Sequence, residues 1–305
     1  MKLHVACSVT ENYAMPLCGM LSSFFKHHHD VPVNLHVFTG TISRKSEARL
    51  EQFIRKHGAD YHQHTIPQDR FQDLQLHRKH FAKAVFYRFL IPDLVKDTDR
   101  ILYLDVDLLI RRSLLPLFQT DVGDLPIAAV PDAWPSYDCK RLGIPEHLNY
   151  FNAGVMVMNL PVWRRDGIAA SAIDFLLRHN GIEEKCRYAD QDGLNAVLPG
   201  RWRILPEDWN FNIYHCSQDL KTMPENRRNI LRSGPSIVHY ADHRKPWLRN
   251  YGLPFQQEFL RNARANGFRY PHGLTLQTIW PWFLYRQHLR QLKTRYRQAD
   301  IPWRA

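Results

Sequence analysis

Two acidic side chains lie inside an otherwise apolar segment, at a spacing that could support metal chemistry. The segment RILYLDVDLLI (residues 100–110) has the composition of a buried strand, yet it carries Asp105 and Asp107. An unpaired carboxylate in an apolar interior is destabilising, and like charges this close raise each other's pKa. Residues i and i+2 of an extended segment point the same way, so both carboxylates can reach one cation if the strand ends there. The pair therefore predicts a hard divalent cation, Mg²⁺ or Mn²⁺. The alternative is an earlier strand end that leaves both acids in water.

A candidate nitrogen ligand and a candidate cationic side chain lie together near residue 240. In PSIVHYADHRKPW (residues 235–247), His239 follows an apolar run and Lys245 comes shortly after it. An imidazole beside two carboxylates would favour Mn²⁺ over Mg²⁺, and the lysine could reach a phosphate. A histidine at a strand end more often satisfies the core than binds a metal. His239 is therefore of interest only together with the two aspartates.

Two further segments carry polar side chains next to apolar runs. RYADQDGLNAVL (residues 187–198) places Asp190 and Gln191 before an apolar stretch, where Asp190 could also be an ordinary N-cap residue, the reading that local evidence favours. In NYFNAGVMVMNL (residues 149–160), Asn152 could either hydrogen-bond a polar ligand or shape a turn. Neither segment indicates a site by itself.

Apolar runs alternate with helical stretches, and these elements would position the polar side chains. The alternation predicts an α/β fold, with a mainly parallel sheet flanked by helices and ligands at the open strand ends. The chain has neither GxxxxGK[ST] nor GxGxxG, so a nucleotide would be held through a metal and basic side chains. The apolar runs are residues 3–9, 33–38, 100–110, 126–130, 154–160 and 236–240.

The composition is typical of a globular protein. With 305 residues and 44% hydrophobic content, the chain can bury a full core in one large domain, or in one domain with an appendage. No window approaches the ~20 apolar residues of a membrane span, and the N-terminus lacks a signal-peptide pattern, so we expect no export. Five scattered cysteines without a CxxC pair fit a reducing cytoplasm.

The C-terminal region carries most of the net charge of +11, with ten Arg or Lys and two acids in residues 247–305. This balance favours an anionic partner such as a membrane surface or nucleic acid. Apolar and basic side chains recur there at helical steps on neighbouring faces, which predicts a basic amphipathic helix. We expect a catalytic domain at 1–247 and a membrane-associating region at 248–305, with a helix packed back on the domain as the alternative. The apolar positions are Trp282, Tyr285, Leu289, Leu292 and Tyr296, and the basic ones are Arg286, Arg290, Lys293 and Arg297.

Taken in this order, the segments resemble glycosyltransferase family 8, in particular the bacterial lipooligosaccharide α-galactosyltransferases and their glucosyl relatives. The resemblance extends from Lys2 to Trp247 and rests on TENYAMPLCGMLSS, FYRFLIPDLVKDTDRILYLDVDLLIRRSLLPLF, YFNAGVMVMNL, YADQDGLN and HYADHRKPW. It implies a GT-A fold whose paired aspartates hold Mn²⁺ against the diphosphate of a UDP-sugar. It also implies a retaining transfer of galactose or glucose to a saccharide acceptor, such as the oligosaccharide of lipooligosaccharide or lipopolysaccharide, by an enzyme on the cytoplasmic face of the membrane.

The resemblance also implies roles for individual residues. Asp105, Asp107 and His239 match the metal ligands, with Mn²⁺, or else Mg²⁺, as the cofactor. Gln191 lies where the family places the group beneath C1 of the donor sugar, and we expect Gln191 and Asp190 to stabilise charge during front-face attack. Asp132 matches an acid near the acceptor. Nucleotide and donor-sugar contacts are expected at Ser8, Thr10, Asn12, Tyr13, Arg88, Leu104, Asp105, Asn152, Ala153, Asp242 and Lys245.

Two positions depart from the family pattern. Where the family has an aspartate before its NY, this chain has Thr10 and Glu11, so the contacts to uracil are expected to differ. Where the family has glycine in HYxGxxKPW, this chain has Asp242, an acid close to the expected diphosphate. The acid would have to turn away or pair with His243 or Arg244.

Two other functions are compatible with parts of the sequence. A metal-dependent nucleotidyltransferase or phosphotransferase would also use paired aspartates, and it would differ in its products. The interpretation as a nucleic-acid-binding protein is based on the basic tail alone, and it does not explain Asp105, Asp107 and His239. We therefore expect a small-molecule and glycan enzyme without a nucleic-acid partner.

Overall fold

The computed structural model describes residues 1–78, 82–217, 220–241, 245–248, 254–270 and 290–302. The chain divides into two compact units. Unit 1 comprises Met1–Ala14, His28–Val106 and Leu114–Pro206. Unit 2 comprises Met15–His27, Asp107–Ser113 and the described residues of Glu207–Ala305. This division does not coincide with a boundary after Trp247, which stays a prediction.

Unit 1 is built on a seven-stranded sheet of order β3-β2-β1-β4-β7-β6-β8. The pairs β1–β2, β2–β3, β1–β4 and β6–β8 are parallel, and β7 runs antiparallel to both β4 and β6. The prediction of a mixed, mainly parallel sheet is confirmed. The strands are β1 (Leu3–Val9), β2 (Val33–Thr39), β3 (Asp60–Thr65), β4 (Arg100–Leu104), β6 (Ile127–Pro131), β7 (Phe151–Asn159) and β8 (Arg203–Ile204), and unit 2 contains β5 (Leu108–Ile110), β9 (Phe211–Asn212) and β10 (Ile237–His239).

Helices surround the strands, as the alternating pattern predicts. The central strand β7 is buried along nearly its whole length, because apolar side chains cover both faces of the sheet. The helices are α1 (Glu11–Lys26), α2 (Arg44–Lys56), α3 (Ile91–Leu94), α4 (Leu115–Phe118), α5 (Pro135–Leu142), α6 (Leu160–Arg165), α7 (Ile168–Arg178), α8 (Glu183–Cys186), α9 (Asp190–Val197), α10 (Glu225–Ser233) and α11 (Gln256–Ala265), and short 3₁₀ helices cover Lys83–Leu90, Glu146–Leu148, Glu207–Asn210 and Ile213–Ser217.

The apolar segment 100–110 is two strands rather than one. β4 ends at Leu104 and belongs to the sheet of unit 1, whereas β5 begins at Leu108 and pairs antiparallel with β10 in unit 2. Asp105 and Asp107 therefore lie in the connection between two buried strands. This is the position that the sequence requires if carboxylates in an apolar segment are to reach a ligand.

Unit 2 has its own apolar core around the small sheet β5-β10-β9. The described part of the C-terminal tail contributes to it: residues 290–298 are helical, and Leu292 and Tyr296 are buried within this core. The prediction that these two side chains face a membrane is corrected, because they already pack against their own unit. Trp282, Tyr285, Arg286 and Leu289 lie outside the described residues.

The sequence predicts no membrane span, and its scattered cysteines do not indicate disulfides. Among the described residues, no helix combines the length and the apolar character that crossing a bilayer requires. All five cysteines fall in the described part of the chain, where each is buried as a free thiol.

A glycine sets the distance between α7 and α9, the helix that carries Asp190 and Gln191. A Cβ atom at Gly193 would lie 3.0 Å from Leu176 Cδ1 and 3.2 Å from the carbonyl oxygen of Ala172. Both distances are tighter than ordinary van der Waals contact, and the carbonyl belongs to the backbone of α7 and yields little. The absence of a side chain at Gly193 therefore lets α9 pack closely against α7.

We expect Gly193→Ala to destabilise the protein. Overpacking costs about 1–3 kcal/mol, more than the roughly 1 kcal/mol that alanine gains over glycine in a helix. Urea unfolding should show a lower midpoint with an unchanged slope. Ser171→Ala, at an exposed position of α7, is the control and should leave the midpoint nearly unchanged. A midpoint for Gly193→Ala at or above the native value would contradict this account of the packing.

Candidate functional site

In unit 1, Asp105 lies directly after β4 and is held by two side-chain donors. Arg88 Nη2 and the Tyr103 hydroxyl each donate to Asp105 Oδ1 at 3.0 Å, and the backbone N–H of Asp105 donates to the Gly154 carbonyl. The side chain is 27% exposed. The carboxylate therefore has its charge balanced within the unit and still reaches solvent.

Arg88 is a buried cation that contacts both Asp105 and Asp190. It lies on the 3₁₀ helix Lys83–Leu90, donates through Nη1 to the Ala153 carbonyl at 2.6 Å, and lies 4.2 Å above the centre of the Tyr103 ring. Its Nε is 2.9 Å from Asp190 Oδ2. Burial lowers the pKa of Arg88, but Asp190, Tyr103 and Asp105 raise it by more, so the guanidinium stays charged.

Asp190 is a buried acid and not an N-cap residue. It is the first residue of α9, and the N-cap position is taken by Ala189, whose φ of +50° lies in the region that favours glycine. Burial raises the pKa of Asp190 to about 7, against the opposing effect of Arg88 and with a further contribution from Asp105. Strained backbone of this kind is common at functional sites.

Gln191 is fixed in orientation by three hydrogen bonds. Its Oε1 accepts from the backbone N–H of Ala153 at 2.9 Å, and its Nε2 donates to Asp132 Oδ2 at 2.6 Å and to the Tyr150 hydroxyl at 3.2 Å. The structure therefore joins the residue expected beneath the donor sugar to the acid expected near the acceptor. Asn152 is buried beside them, and its Oδ1 accepts from the N–H of Gly154.

A buried polar network, which the sequence did not predict, supports α9. Asp192 accepts from the Tyr150 hydroxyl at 2.6 Å and from the N–H of Tyr188 at 2.7 Å, and it forms an ion pair with Arg141. The side chain of Asn195 bonds both backbone groups of Phe151. These residues hold Gln191 in place, and no local pattern marks them, because their partners are distant in sequence.

In unit 2, Asp107 is buried between two cationic or potentially cationic groups. Lys245 Nζ lies 2.5 Å from Asp107 Oδ2 and also donates to the Tyr240 carbonyl at 2.9 Å. His239 Nε2 lies 3.3 Å from Asp107 Oδ1. Burial raises the pKa of Asp107, but Lys245 and His239 lower it by more, so its pKa is well below the usual range.

His239 is oriented by Asn210, a residue that sequence reasoning missed. His239 Nδ1 lies 2.9 Å from Asn210 Oδ1, so Nδ1–H donates to the amide oxygen. Nε2 is then the nitrogen that is left to interact with Asp107 or to bind a metal ion, and it is the one directed toward Asp107. A second partner that fixes the tautomer of an imidazole is typical of metal-binding histidines.

The residues expected to hold the nucleoside lie at the end of β1 and the start of α1. Ser8 lies in β1, Thr10 follows it, and Asn12 and Tyr13 lie in the first turn of α1. The carboxylate of Glu11 accepts from the N–H and Oγ of Ser43 and from Ser46 Oγ, so it binds the start of α2. Leu104 is the buried last residue of β4, and Asp242 lies outside the described residues.

Comparison with known proteins gives the family. The model of Glycosyl transferase family 8 matches residues 4–251. The chain belongs to glycosyl transferase family 8. This membership supports glycosyl transfer over the nucleotidyl or phosphoryl transfer that the sequence alone left open.

Relatives of this family 8 chain agree in sequence and in fold. It is 31% identical over 264 residues to General stress protein A of Bacillus subtilis (84% of this chain, 91% of that protein). It is 27% identical over 274 residues to the lipopolysaccharide 1,3-galactosyltransferase of Salmonella typhimurium (87% and 78%). The crystal structure of the galactosyltransferase LgtC, in complex with donor and acceptor sugar analogs, matches with a TM-score of 0.76 and 26% identity, over 92% of this chain and 100% of that one. The predicted GT-A fold is confirmed.

The raised pKa of Asp190 predicts a pH-dependent stability. Since its pKa is about 7 in the fold and about 4 in an unfolded chain, the folded state binds a proton that the unfolded state has lost between these values. This contribution is full below about pH 4 and is lost as the pH rises to 7. Asn is always neutral, so the stability of Asp190→Asn relative to native should rise by on the order of 1 kcal/mol per pH unit across this window.

Unfolding free energies measured from pH 4 to pH 8 test this. Asp174→Asn, which removes a carboxylate from the exposed face of α7, is measured in parallel as the control. A constant difference for Asp190→Asn would show that the carboxyl is not held neutral by the fold.

Proposed function

We propose that this family 8 enzyme transfers a hexose, galactose or glucose, from a UDP-sugar to a saccharide acceptor with retention of anomeric configuration. The observation that carries the proposal is the arrangement at Asp107, where an oriented imidazole and a lysine meet one buried carboxylate. A group of this charge pattern suits a cation and a diphosphate. A metal-dependent glycosyl transferase with a nucleotide-sugar donor binds both.

Asp105, Asp107 and His239 are the proposed ligands of Mn²⁺. They supply two carboxylates and an imidazole, a donor set that could hold a metal ion, and a single residue separates the two aspartates in the chain. The imidazole favours Mn²⁺ over Mg²⁺. When bound, the metal supplies positive charge to the leaving diphosphate. Asn210 serves this site by accepting from His239 Nδ1–H, which leaves Nε2 available to the metal.

Lys245 is proposed to exchange partners when the donor binds. It now balances the charge of Asp107, a role that a bound divalent cation would take over. The ammonium group would then be available to a phosphate oxygen of the donor. Arg88, Asn152 and Ala153 are proposed to border the donor sugar. Ser8, Thr10, Asn12, Tyr13 and Leu104 are proposed to hold the nucleoside, and Asp242 stays a prediction.

Gln191 and Asp190 are proposed to act at the reacting carbon. A carboxamide is a poor nucleophile, so Gln191 fits front-face attack, in which its dipole stabilises positive charge on the sugar ring. Gln191 Nε2 donates to Asp132, the acid proposed to lie near the acceptor, and this hydrogen bond supports a joint role for the two side chains. Asp132 would then accept a hydrogen bond from the acceptor, and the departing phosphate oxygen would take the proton of the attacking hydroxyl.

The acceptor is proposed to be the oligosaccharide of a lipopolysaccharide or lipooligosaccharide, at the cytoplasmic face of the membrane. The relative from Salmonella is named for transfer to lipopolysaccharide. Exposed Arg290, Lys293 and Arg297 lie three and four residues apart on the C-terminal helix, a spacing that puts them on one face. Because Leu292 and Tyr296 are buried, we propose an electrostatic rather than an inserted contact with anionic lipid.

Loss of any metal ligand should abolish metal-dependent transfer. Asp105→Asn, Asp107→Asn and His239→Gln each remove one donor with little change in shape, and the loss of a stabilised charge predicts a fall in turnover of at least roughly 100-fold. The assay is UDP release from UDP-galactose and UDP-glucose with short lipooligosaccharide-type acceptors, in Mn²⁺ or EDTA. Asp174→Asn is the control with a matched charge change. Full activity in EDTA, or in any of the three variants, would rule out the metal site.

Gln191→Ala should lower turnover strongly but incompletely, with less change in the KM for the donor. The side chain is proposed to act on the transition state more than on donor binding. Steady-state kinetics of Gln191→Ala and of Gln119→Ala, an exposed control, separate the two effects. Normal turnover in Gln191→Ala would place this side chain away from the reacting carbon.

Removal of three exposed charges should release the protein from anionic vesicles. Each basic residue near an anionic surface contributes about 1 kcal/mol, so Arg290→Gln/Lys293→Gln/Arg297→Gln should weaken binding roughly 100-fold. Turnover on a soluble acceptor should be unchanged. The control is Arg44→Gln/Lys45→Gln/Arg49→Gln, which removes three positive charges from the exposed surface of α2. An equal loss in both triple variants, measured by vesicle co-sedimentation, would indicate non-specific attraction only.

A further inference from the structure

A layer of polar side chains lies on one face of the sheet at β1, β2 and β3, and none of its histidines is among the residues of the proposed transfer site. The parallel register pairs His4 with Asn34, Ala6 with His36, and His36 with His62. Paired residues of neighbouring parallel strands point to the same side, so the histidines share a face. The His36 ring is stacked with that of His4 at 6.1 Å and with that of His62 at 4.8 Å.

Three donor groups converge in this layer. His4, His36 and the carboxylate of Asp97, in the segment before β4, each offer one atom within 4.8 Å of the others, and His4 Nδ1 lies 3.9 Å from Asp97 Oδ2. His4 is 9% exposed and His36 3% exposed. Both His4 Nδ1 and His36 Nε2 are buried without a hydrogen-bond partner. Buried polar atoms are nearly always satisfied, so two neighbouring exceptions point to a missing ligand.

The surroundings orient two of these donors. His36 Nδ1 lies 3.1 Å from His64 Nε2, so Nδ1–H can donate to His64 and leave the lone pair on Nε2. The amide of Asn34 donates to Asp97 Oδ2 at 3.3 Å. A histidine that gives its second N–H to a fixed partner, beside a hydrogen-bonded carboxylate, is the usual support of a metal ligand set.

We propose that His4, His36 and Asp97 form a second cation site, which takes Zn²⁺. Two imidazoles and one carboxylate are a common zinc donor set, and tetrahedral geometry leaves the fourth position to water. Bonds of about 2.0–2.2 Å bring ligand atoms to about 3.3 Å from one another, so the donors must close by an ångström or so. Asp97 is half-exposed and can supply most of this movement. The ion would cross-link β1, β2 and the segment before β4.

Cobalt absorption tests the site without reference to activity. An untagged chain carrying His239→Gln, which removes one ligand of the other proposed metal site and keeps the Arg88–Asp105 and Lys245–Asp107 pairs, is dialysed against EDTA and titrated with Co²⁺. One equivalent should give the visible bands of tetrahedral Co²⁺, and Zn²⁺ should displace it. Asp97→Asn should weaken binding at least ~10-fold, and His64→Gln, which removes the partner of His36, about 10–100-fold.

His62→Gln is the matched control, since His62 stacks on His36 but is not among the three donors. It should bind Co²⁺ as the parent chain does. Zn²⁺ should also raise the melting temperature of the parent and of His62→Gln, but not that of Asp97→Asn. In the otherwise native chain, Asp97→Asn should bind one equivalent of Co²⁺ fewer than the native protein does. Absence of tetrahedral bands, or equal effects of Asp97→Asn and His62→Gln, would overturn the proposal.

Discussion

Charge balance at buried carboxylates is the constraint on which this structure depends. Asp105 and Asp107 follow one another closely in an apolar segment, and they are compensated by different cations: Arg88 for Asp105 and Lys245 for Asp107. A carboxylate buried without a partner costs about 3–5 kcal/mol, a large part of the roughly 5–15 kcal/mol by which a domain is stable. The fold therefore brings Arg88 and Lys245, distant in sequence from the aspartates, to these two positions.

The acids near α9 obey the same constraint in a different way. Asp190 shares Arg88 with Asp105, and burial holds its pKa near 7, whereas Asp192 pairs with Arg141 and accepts from the Tyr150 hydroxyl. The two acids flank Gln191, whose amide is fixed from both ends. Such fixed dipoles act on a transition state without the cost of reorganisation, which is the physical basis of the role proposed for Gln191.

Local patterns were sufficient for the elements. Apolar alternation predicted the α/β fold, and the two acids within residues 100–110 could share a cation only if the strand ended there, which is where β4 ends. The pattern could not show that Leu292 and Tyr296 pack inwards, because an amphipathic helix buries its apolar face equally well in a core or in a membrane.

Residues that act through distant partners escaped sequence reasoning. Asn210 orients His239 across 29 positions, and Tyr150 reaches Asp192 across 42. Neither lies in a spacing that a single sequence marks. The same is true of His4, His36 and Asp97, which three separate segments contribute and which converge only through strand register. Strand register and tertiary packing thus supply what residue spacing alone does not.

The ligands of the proposed catalytic cation can be observed directly by electron spin-echo envelope modulation of Mn²⁺ bound to the chain in the presence of UDP. The account predicts phosphorus coupling from UDP together with nitrogen coupling from one imidazole, and it predicts that His239→Gln removes the nitrogen signal while the same substitution at His62 does not. Phosphorus coupling without any nitrogen signal that depends on His239 would contradict the proposed metal site.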